Sequence, residues 1–399
     1  MLHSPITRRE IGVGETFDTR EILRNAARQA DERGLRDFLI VDVDAHHYET
    51  ESWAEIGTYI EDPLIRMQNE AGGVAGLGNS TLLVSAIGNQ DLSGRIPSHR
   101  MRKLERWQED GKQRDRVLLK RAMESMAIDY QIVFPTPMLS LGQHPLVDVE
   151  VAVARAYARW LTERLLADEP SLRTMLYLPF NDPEAALRIV EEFSDTPGVV
   201  GFMVTATRYR AIHHNDYAPL YRAIEETGMP LAFHGGYMWL GDRLMETLNR
   251  FISVHALGFV LHNLVHLTNW IVNGMPERFP KLKLIWIESG LAWIPFAMQR
   301  LDHEYVMRSS EAPLLKRLPS EYIRDMYFTS QPLELTNLEA LELTFKMIDA
   351  ENRLLYSSDY PHWDFDVPSR IYDLPFLDQQ AKRKILGENA QQLFQLPAR

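Results

Sequence analysis

Short apolar runs recur along this chain, with stretches of helical composition between them. The runs are FLIVDVDAH (38–46), QIVFPT (131–136), TMLYLPF (174–180), VVGFMVTA (199–206), LAFHGG (231–236), KLIWIESG (283–290), MYFTSQ (326–331) and LLYSSDYPH (354–362). Brief apolar runs bounded by turn or ionisable residues read as strands buried on both faces. About eight of them alternating with helices predict a parallel sheet and, at this count, an α/β fold of the (β/α)8 TIM-barrel type. The spacing breaks once, between the first two strands. Residues 47–125 are long and polar, with GGVAGLGN and the charged run HRMRKLERWQEDGKQRDR, and are expected to form an inserted cap or oligomerisation element over the barrel mouth. Residues 1–37 then make an N-terminal arm and 38–395 the barrel. The glycines of the insertion hint at a phosphate loop, but they lack a Lys-Ser/Thr ending and no strand feeds them. The charged run reads as a solvated helix face.

Composition narrows the chemistry. The 399 residues are 45% hydrophobic and 25% charged, enough for one large domain with insertions or two smaller ones. Lys plus Arg number 43 against 55 Asp plus Glu, a formal charge of -12 with no basic stripe, which argues against nucleic acid or an anionic membrane as partner. There is no cysteine, so disulfides, thiolate nucleophiles and Cys-held metals are excluded. Any metal is held by nitrogen and oxygen. The N-terminal MLHSPITRREIGVGE lacks the apolar core of a signal peptide, and no run approaches the roughly 20 apolar residues of a membrane span; a cytoplasmic protein is expected.

Ligand-type side chains fall at the run ends, where barrel enzymes keep their active sites. In VDVDAHHYE, Asp44 and His46 lie two apart and face the same way, with Glu49 one short turn later. For this fragment alone a hydrogen-bonding His46 and a turn-capping Asp44 are as plausible as ligands. His234 ends the fifth run, with two glycines after it that let the backbone turn closely beneath the imidazole. Asp359 ends the eighth. Two imidazoles and two carboxylates from strands one, five and eight, all at one rim, make a complete set for one divalent ion.

At this point the chain resembles the amidohydrolase superfamily, in its branch of aminocarboxymuconate-semialdehyde decarboxylase and related aromatic-acid decarboxylases. The resemblance runs from about 38 to 395 through DxHxxE, the His234 strand, ERFPKLKLIWIESGLAW (277–293) and SDYPHWD. It implies Asp44, His46, His234 and Asp359 as metal ligands. Two departures bear on the reaction. Between Lys120 and Lys281 there is no lysine, so the carboxylated-lysine bridge of binuclear hydrolases cannot be built. Where decarboxylase-like members carry a histidine at the end of strand six, this chain has Glu288, whose charge beside an anionic substrate requires a raised pKa or a neutralising cation. A second metal held by Glu49, Glu288 and His262 meets that need. His255, His262 and His266 fall on one stripe if their segment is a continuous helix, but His255 and His266 would lie roughly 16 Å apart along it, too far for one ion. His266 is expected to make a helix-to-barrel hydrogen bond.

The stretch SVHALGFVLHNLVHLTNWIVNGMPERFPKLKLIWIESGLAW resembles the oxygen-dependent group within the superfamily that includes the catalytic subunit of α-aminoisobutyrate hydroxylase. That implies a dinuclear iron or manganese site of Asp44, His46, Glu49, His234, His262, Glu288 and Asp359, hydroxylating a small carboxylate or amino-acid-like substrate with electrons from a ferredoxin-type partner. The alternative is a one-metal zinc or manganese hydrolase or decarboxylase of a small aromatic acid, with Asp359 shuttling the proton and Glu288 as auxiliary acid or base. A third is a metal-stabilised partner subunit of a homologous catalytic chain. Arg208 and Arg210 are candidates to pair a substrate carboxylate, and Tyr237 and His362, with Trp239 and Trp363, to wall the pocket. Relatives form homo- or hetero-oligomers, which is expected here too. His213 and His214 read as a loop and cap pair, Trp270 and Trp286 as core.

Overall fold

Each apolar run overlaps a strand: β1 Val41–His47, β2 Tyr130–Pro135, β3 Leu172–Tyr177, β4 Val199–Val204, β5 Leu231–His234, β6 Leu284–Ile287, β7 Tyr327–Thr329 and β8 Leu354–Leu355. The computed structural model describes residues 19–70 and 113–398, apart from 168, 206, 208, 237–247, 249, 250 and 363. The strands lie side by side in chain order, β1 to β8, and every pair is parallel. Beyond β8 the chain returns to β1: Val43 N donates to Tyr356 O at 2.9 Å, His46 N donates to Tyr360 O at 2.6 Å, and Ala45 bridges Tyr360. The result is a TIM barrel closed at this seam by a few bonds.

Local chemistry starts and stops the crossover helices. Asp182 accepts from Glu184 N and Ala185 N ahead of helix Pro183–Phe193, with proline at the first turn, and helix Ala218–Thr227 ends at Gly228 in the left-handed region at φ 72°. The helix Phe251–Val272 carries no acidic or basic residue across 22 positions apart from its histidines, and it buries Phe259, Leu267, Trp270 and Ile271. Trp286 stacks on Phe233 at 4.9 Å between centroids, and Trp270 meets the same ring edge-on, so both tryptophans are core.

Most of the expected insertion, residues 71–112 with GGVAGLGN, lies outside the described residues. On its N-terminal side stand the turn Glu49–Ser52 and the helices Trp53–Gly57 and Pro63–Glu70. On its C-terminal side, Arg114–Met126 is the helix that leads into β2 and packs on the N-terminal helix Thr19–Glu32. The barrel's own layer therefore begins near 114, inside the span expected to be inserted, because Leu118, Leu119, Ala122, Met123 and Met126 give that helix a buried apolar face. Of the N-terminal arm, residues 19–37 are described.

Candidate metal centre

Strand alternation decides which side chains of β1 reach the barrel axis. Asp42, Asp44 and His46 share one face, and all three are buried. His234, at the end of β5, brings its Nε2 within 3.3 Å of His46 Nε2 and within 3.3 Å of Asp44 Oδ1, and His46 Nε2 lies 3.1 Å from the same oxygen. Glu288, just past β6, places Oε2 3.5 Å from His234 Nδ1. Asp44, His46, His234 and Glu288 thus offer ligand atoms within 4.8 Å of one another, and His46, Asp359 and His362 form a second such group.

The outer ring nitrogens fix the tautomers. His46 Nδ1 sits 2.9 Å from Pro135 O and His234 Nδ1 sits 2.7 Å from Gly235 O, and a carbonyl can only accept, so each imidazole carries its proton on Nδ1. Both Nε2 atoms are then bare lone pairs, facing each other and a carboxylate oxygen in a buried space. Among the described residues, Asp44 Oδ2 and Glu288 Oε2 have no hydrogen-bond partner. Acceptors converging on acceptors cost several kcal/mol in a protein interior unless a cation stands between them. Nitrogen and oxygen donors in this set fit a divalent ion such as Mn, Fe or Zn. Burial raises the Asp44 carboxyl; only charged, donating imidazoles at His234 and His46 would outweigh it and hold the group at about 2, and with both rings neutral that stabilising charge would have to come from a bound cation. Burial lowers His46 and keeps it neutral, as a ligand must be.

Two of these residues sit in strained backbone. Glu288 has φ 54° and Asp359 has φ 60°, left-handed values that non-glycine residues avoid and that cluster at functional sites. Gly235 has the opposite problem. A Cβ there would stand 2.6 Å from both Glu288 O and Phe259 Cδ1, so only glycine lets the β5 and β6 ends approach closely enough for His234 and Glu288 to meet.

Asp359 and His362 form a unit. His362 Nδ1 is 2.5 Å from Asp359 Oδ1, its Nε2 is 3.2 Å from Thr136 Oγ1, and its ring packs on His46 at 4.3 Å between centroids. Gln331 Nε2 donates to Asp359 Oδ2 at 3.2 Å, and His46 Nε2 lies 3.4 Å from Oδ1. His362, expected as a pocket wall, packs against His46 and Asp359.

Other expected site residues are placed elsewhere. Glu49 is fully buried, but its oxygens accept from Thr136 N at 3.0 Å and Met138 N at 2.6 Å, tying the turn after β1 to the loop after β2; burial pushes it up to about 7. His262 lies between Gly236 O at 3.2 Å and Thr205 O at 3.1 Å, and burial lowers it to about 4. Neither belongs to the two clusters. His266, on the same helix, has no hydrogen-bond partner among the described residues; it packs against Phe233 and His262. His255 reaches Asp364 at 3.5 Å near the rim. Arg210 pairs with Asp216 at 3.1 Å and donates to Asn181 O at 3.2 Å. His214 accepts from Asp216 N at the turn Asn215–Tyr217, a cap as expected. Arg208, Tyr237, Trp239 and Trp363 lie outside the described residues. Sequence reasoning passed over Asp42, Thr136 and Gln331, which hold the site residues in place. Asp42 alone carried a signal, its shared parity with Asp44.

Eight parallel strands around buried imidazoles and carboxylates at their C-terminal ends define a TIM barrel with a metal-type donor cluster at its rim. The chain belongs to the amidohydrolase family, whose sequence pattern matches residues 42–396. A γ-resorcylate decarboxylase from a Polaromonas species is 22% identical over 253 residues, 61% of this chain and 76% of that protein. Among solved structures, 5-carboxyvanillate decarboxylase from Novosphingobium aromaticivorans, complexed with manganese and 4-hydroxy-3-methoxy-5-nitrobenzoic acid, superposes with a TM-score of 0.68 at 21% identity, covering 91% of this chain and 97% of that one. A dihydroxybenzoic acid decarboxylase from Polaromonas, with bound manganese and the inhibitor 2-nitroresorcinol, gives 0.63 at 20% identity, covering 90% and 97%. At these identities the structural likeness speaks for the fold. Among the described residues no helix is long and apolar enough to cross a membrane.

Proposed function

We propose that this chain is a divalent-metal-dependent decarboxylase of a small aromatic carboxylic acid, with manganese the first candidate ion. The observation that carries the proposal is the convergence of His46 Nε2, His234 Nε2 and Asp44 Oδ1 without a hydrogen between them. The similarity to γ-resorcylate decarboxylase supports the reaction class, and the manganese in the two structural relatives supports the ion.

Asp44, His46 and His234 would hold the ion, with Asp359 beside them. When bound, the ion supplies Lewis acidity that orients and polarises the substrate's oxygens. The chain's own groups do the rest. Decarboxylation breaks the bond between ring and carboxyl carbon; the electron pair stays with the ring carbon, which takes a proton as carbon dioxide leaves. Asp359 is the acid that gives this proton, and the short contact to His362 Nδ1 is the route by which the carboxyl is recharged. Glu288 is driven well above the ordinary carboxylate range by burial, then by Asp44 and Asp364. As a neutral acid it donates a hydrogen bond toward an anionic substrate without repelling it. This answers the charge conflict that its position poses in the sequence. Arg208 is the proposed partner for a remote anionic group of the substrate.

A second reading rests on Glu288 as a member of the donor cluster. Under it, Glu49, Glu288 and His262 would hold a second iron or manganese ion beside the first, and the pair would supply dioxygen chemistry for hydroxylating a small carboxylate, with electrons from a ferredoxin-type partner. The decarboxylase relatives favour the first reading. Anaerobic incubation of the Mn-loaded chain with ortho-hydroxybenzoates of varied substitution separates the two. Carbon dioxide release without oxygen is the expected result; turnover that requires oxygen and a reductant supports hydroxylation instead.

A further inference from the structure

At the seam between β8 and β1, side chains reinforce the few backbone bonds that close the barrel. β8 is only Leu354–Leu355, yet the chain beyond it must deliver Asp359 to the rim. Toward β7, Gln331 N donates to Ser357 Oγ at 2.9 Å and Ser357 N donates to Ser330 Oγ at 3.1 Å. Toward β1, Asp42 takes Ser358 twice: Ser358 N donates to Oδ1 at 2.8 Å, and Ser358 Oγ donates to Oδ2 at 2.6 Å. Gln131 Nε2 donates to Oδ2 at 3.1 Å and Asp44 N donates to Oδ1 at 3.3 Å. Asp42 therefore gathers four donors from β1, β2 and the chain after β8, with its side chain fully buried.

A barrel interior is ordinarily filled by branched apolar side chains, and burying a carboxylate is expensive even when it is hydrogen-bonded. What this carboxylate holds is the residue before Asp359. On the other side, Tyr360 N donates to Ser358 Oγ at 3.0 Å, and Tyr360 O accepts from His46 N. Asp359 N donates to Asp44 O at 2.7 Å. Asp359 is thus clamped on both flanks while its φ is 60°, a conformation that persists only where the surroundings over-determine it.

We propose that Asp42 is a positioning residue of the metal centre: through Ser358 it fixes the left-handed backbone of Asp359, and so sets where that carboxylate meets His46 and His362. The inference rests on the reading of Asp359 as a working group of the site. Asp42 itself lies outside both donor clusters.

Two variants test it. Asp42→Asn keeps the volume, and Gln131, whose Oε1 has no partner among the described residues, can turn its amide to accept from the new amide group, which lets the barrel fold. Ser358→Ala removes only the hydroxyl. Hydrogen exchange on the metal-free full chain is expected to quicken about tenfold at amides 358–360 in both variants, with β3 to β5 unchanged. Competition with a fluorescent chelator is expected to show Mn2+ affinity about tenfold weaker, the scale set by groups that orient metal ligands. Exchange at 358–360 equal to wild type in both variants overturns the proposal. So does exchange that rises equally throughout the barrel, the mark of a carboxylate that only stabilises the fold, and so does unchanged Mn2+ affinity in both variants. A wild-type chain that takes up no Mn2+ overturns the metal reading of the site, and the exchange result then decides the positioning role by itself.

Discussion

The chemistry of this site turns on single atoms. Two ring nitrogens are tethered outward to Pro135 O and Gly235 O, and that leaves their partners bare and inward. No sequence pattern states this. Spacing placed Asp44 and His46 on one face of a strand and His234 and Asp359 at strand ends, but which nitrogen points where depends on carbonyls from other parts of the chain. Glu49 shows the same gap in the other direction. A carboxylate one turn after a ligand reads as a ligand, while in the fold its oxygens already serve Thr136 N and Met138 N. Glu49→Gln should therefore leave one of these amides facing an NH2 group and lower stability by about 1–3 kcal/mol, read as a shift in the urea midpoint. Its metal content should equal that of wild type. A fall from two ions per chain to one would favour the dinuclear reading.

At the scale of elements, eight strands were legible because each is a short apolar run ending in ligand or turn residues, the period that parallel barrels impose. The long-range fastenings between strand ends were not. Glu150 is an example: it sits on helix Val147–Trp160, yet its oxygens accept from Tyr177 Oη at 2.9 Å, at the end of β3, and from Asn181 Nδ2 at 2.8 Å in the loop beyond. Asn181 in turn holds Arg210 through its carbonyl, so a helix residue organises the loop after β4. Burial raises Glu150 from 4.5 to about 7 against the opposing pull of Asn181 and Tyr177. The folded chain therefore keeps this proton after the unfolded chain has released it. The stabilising effect is complete below pH 4.5 and is lost as pH climbs through 7, a change with an upper bound on the order of 3 kcal/mol. Glu150→Gln has no such proton. The stability difference, wild type minus variant, should fall between about pH 5 and pH 7 in urea titrations; a difference independent of pH would show that Glu150 is ionised in the fold throughout.

For the whole molecule, the missing cysteine left nitrogen and oxygen as the only donors for any metal, and the barrel assembles such a set. Of the acids counted in the formal charge of -12, Asp44 and Asp359 are buried at the rim, so a cation there relieves the local field as well as the bare donors. The reaction was less legible than the fold, because Glu288 suits either a neutral acid or a ligand, and only its surroundings tilt the choice. The most direct measurement of the central claim is metal content by mass spectrometry, on chain purified without chelator and loaded with Mn2+, for wild type and the His46→Ala, His234→Ala double variant. The predicted result is about one tightly held divalent ion per wild-type chain and none in the folded double variant. A wild-type chain without metal, or a double variant that retains its ion, would contradict the account.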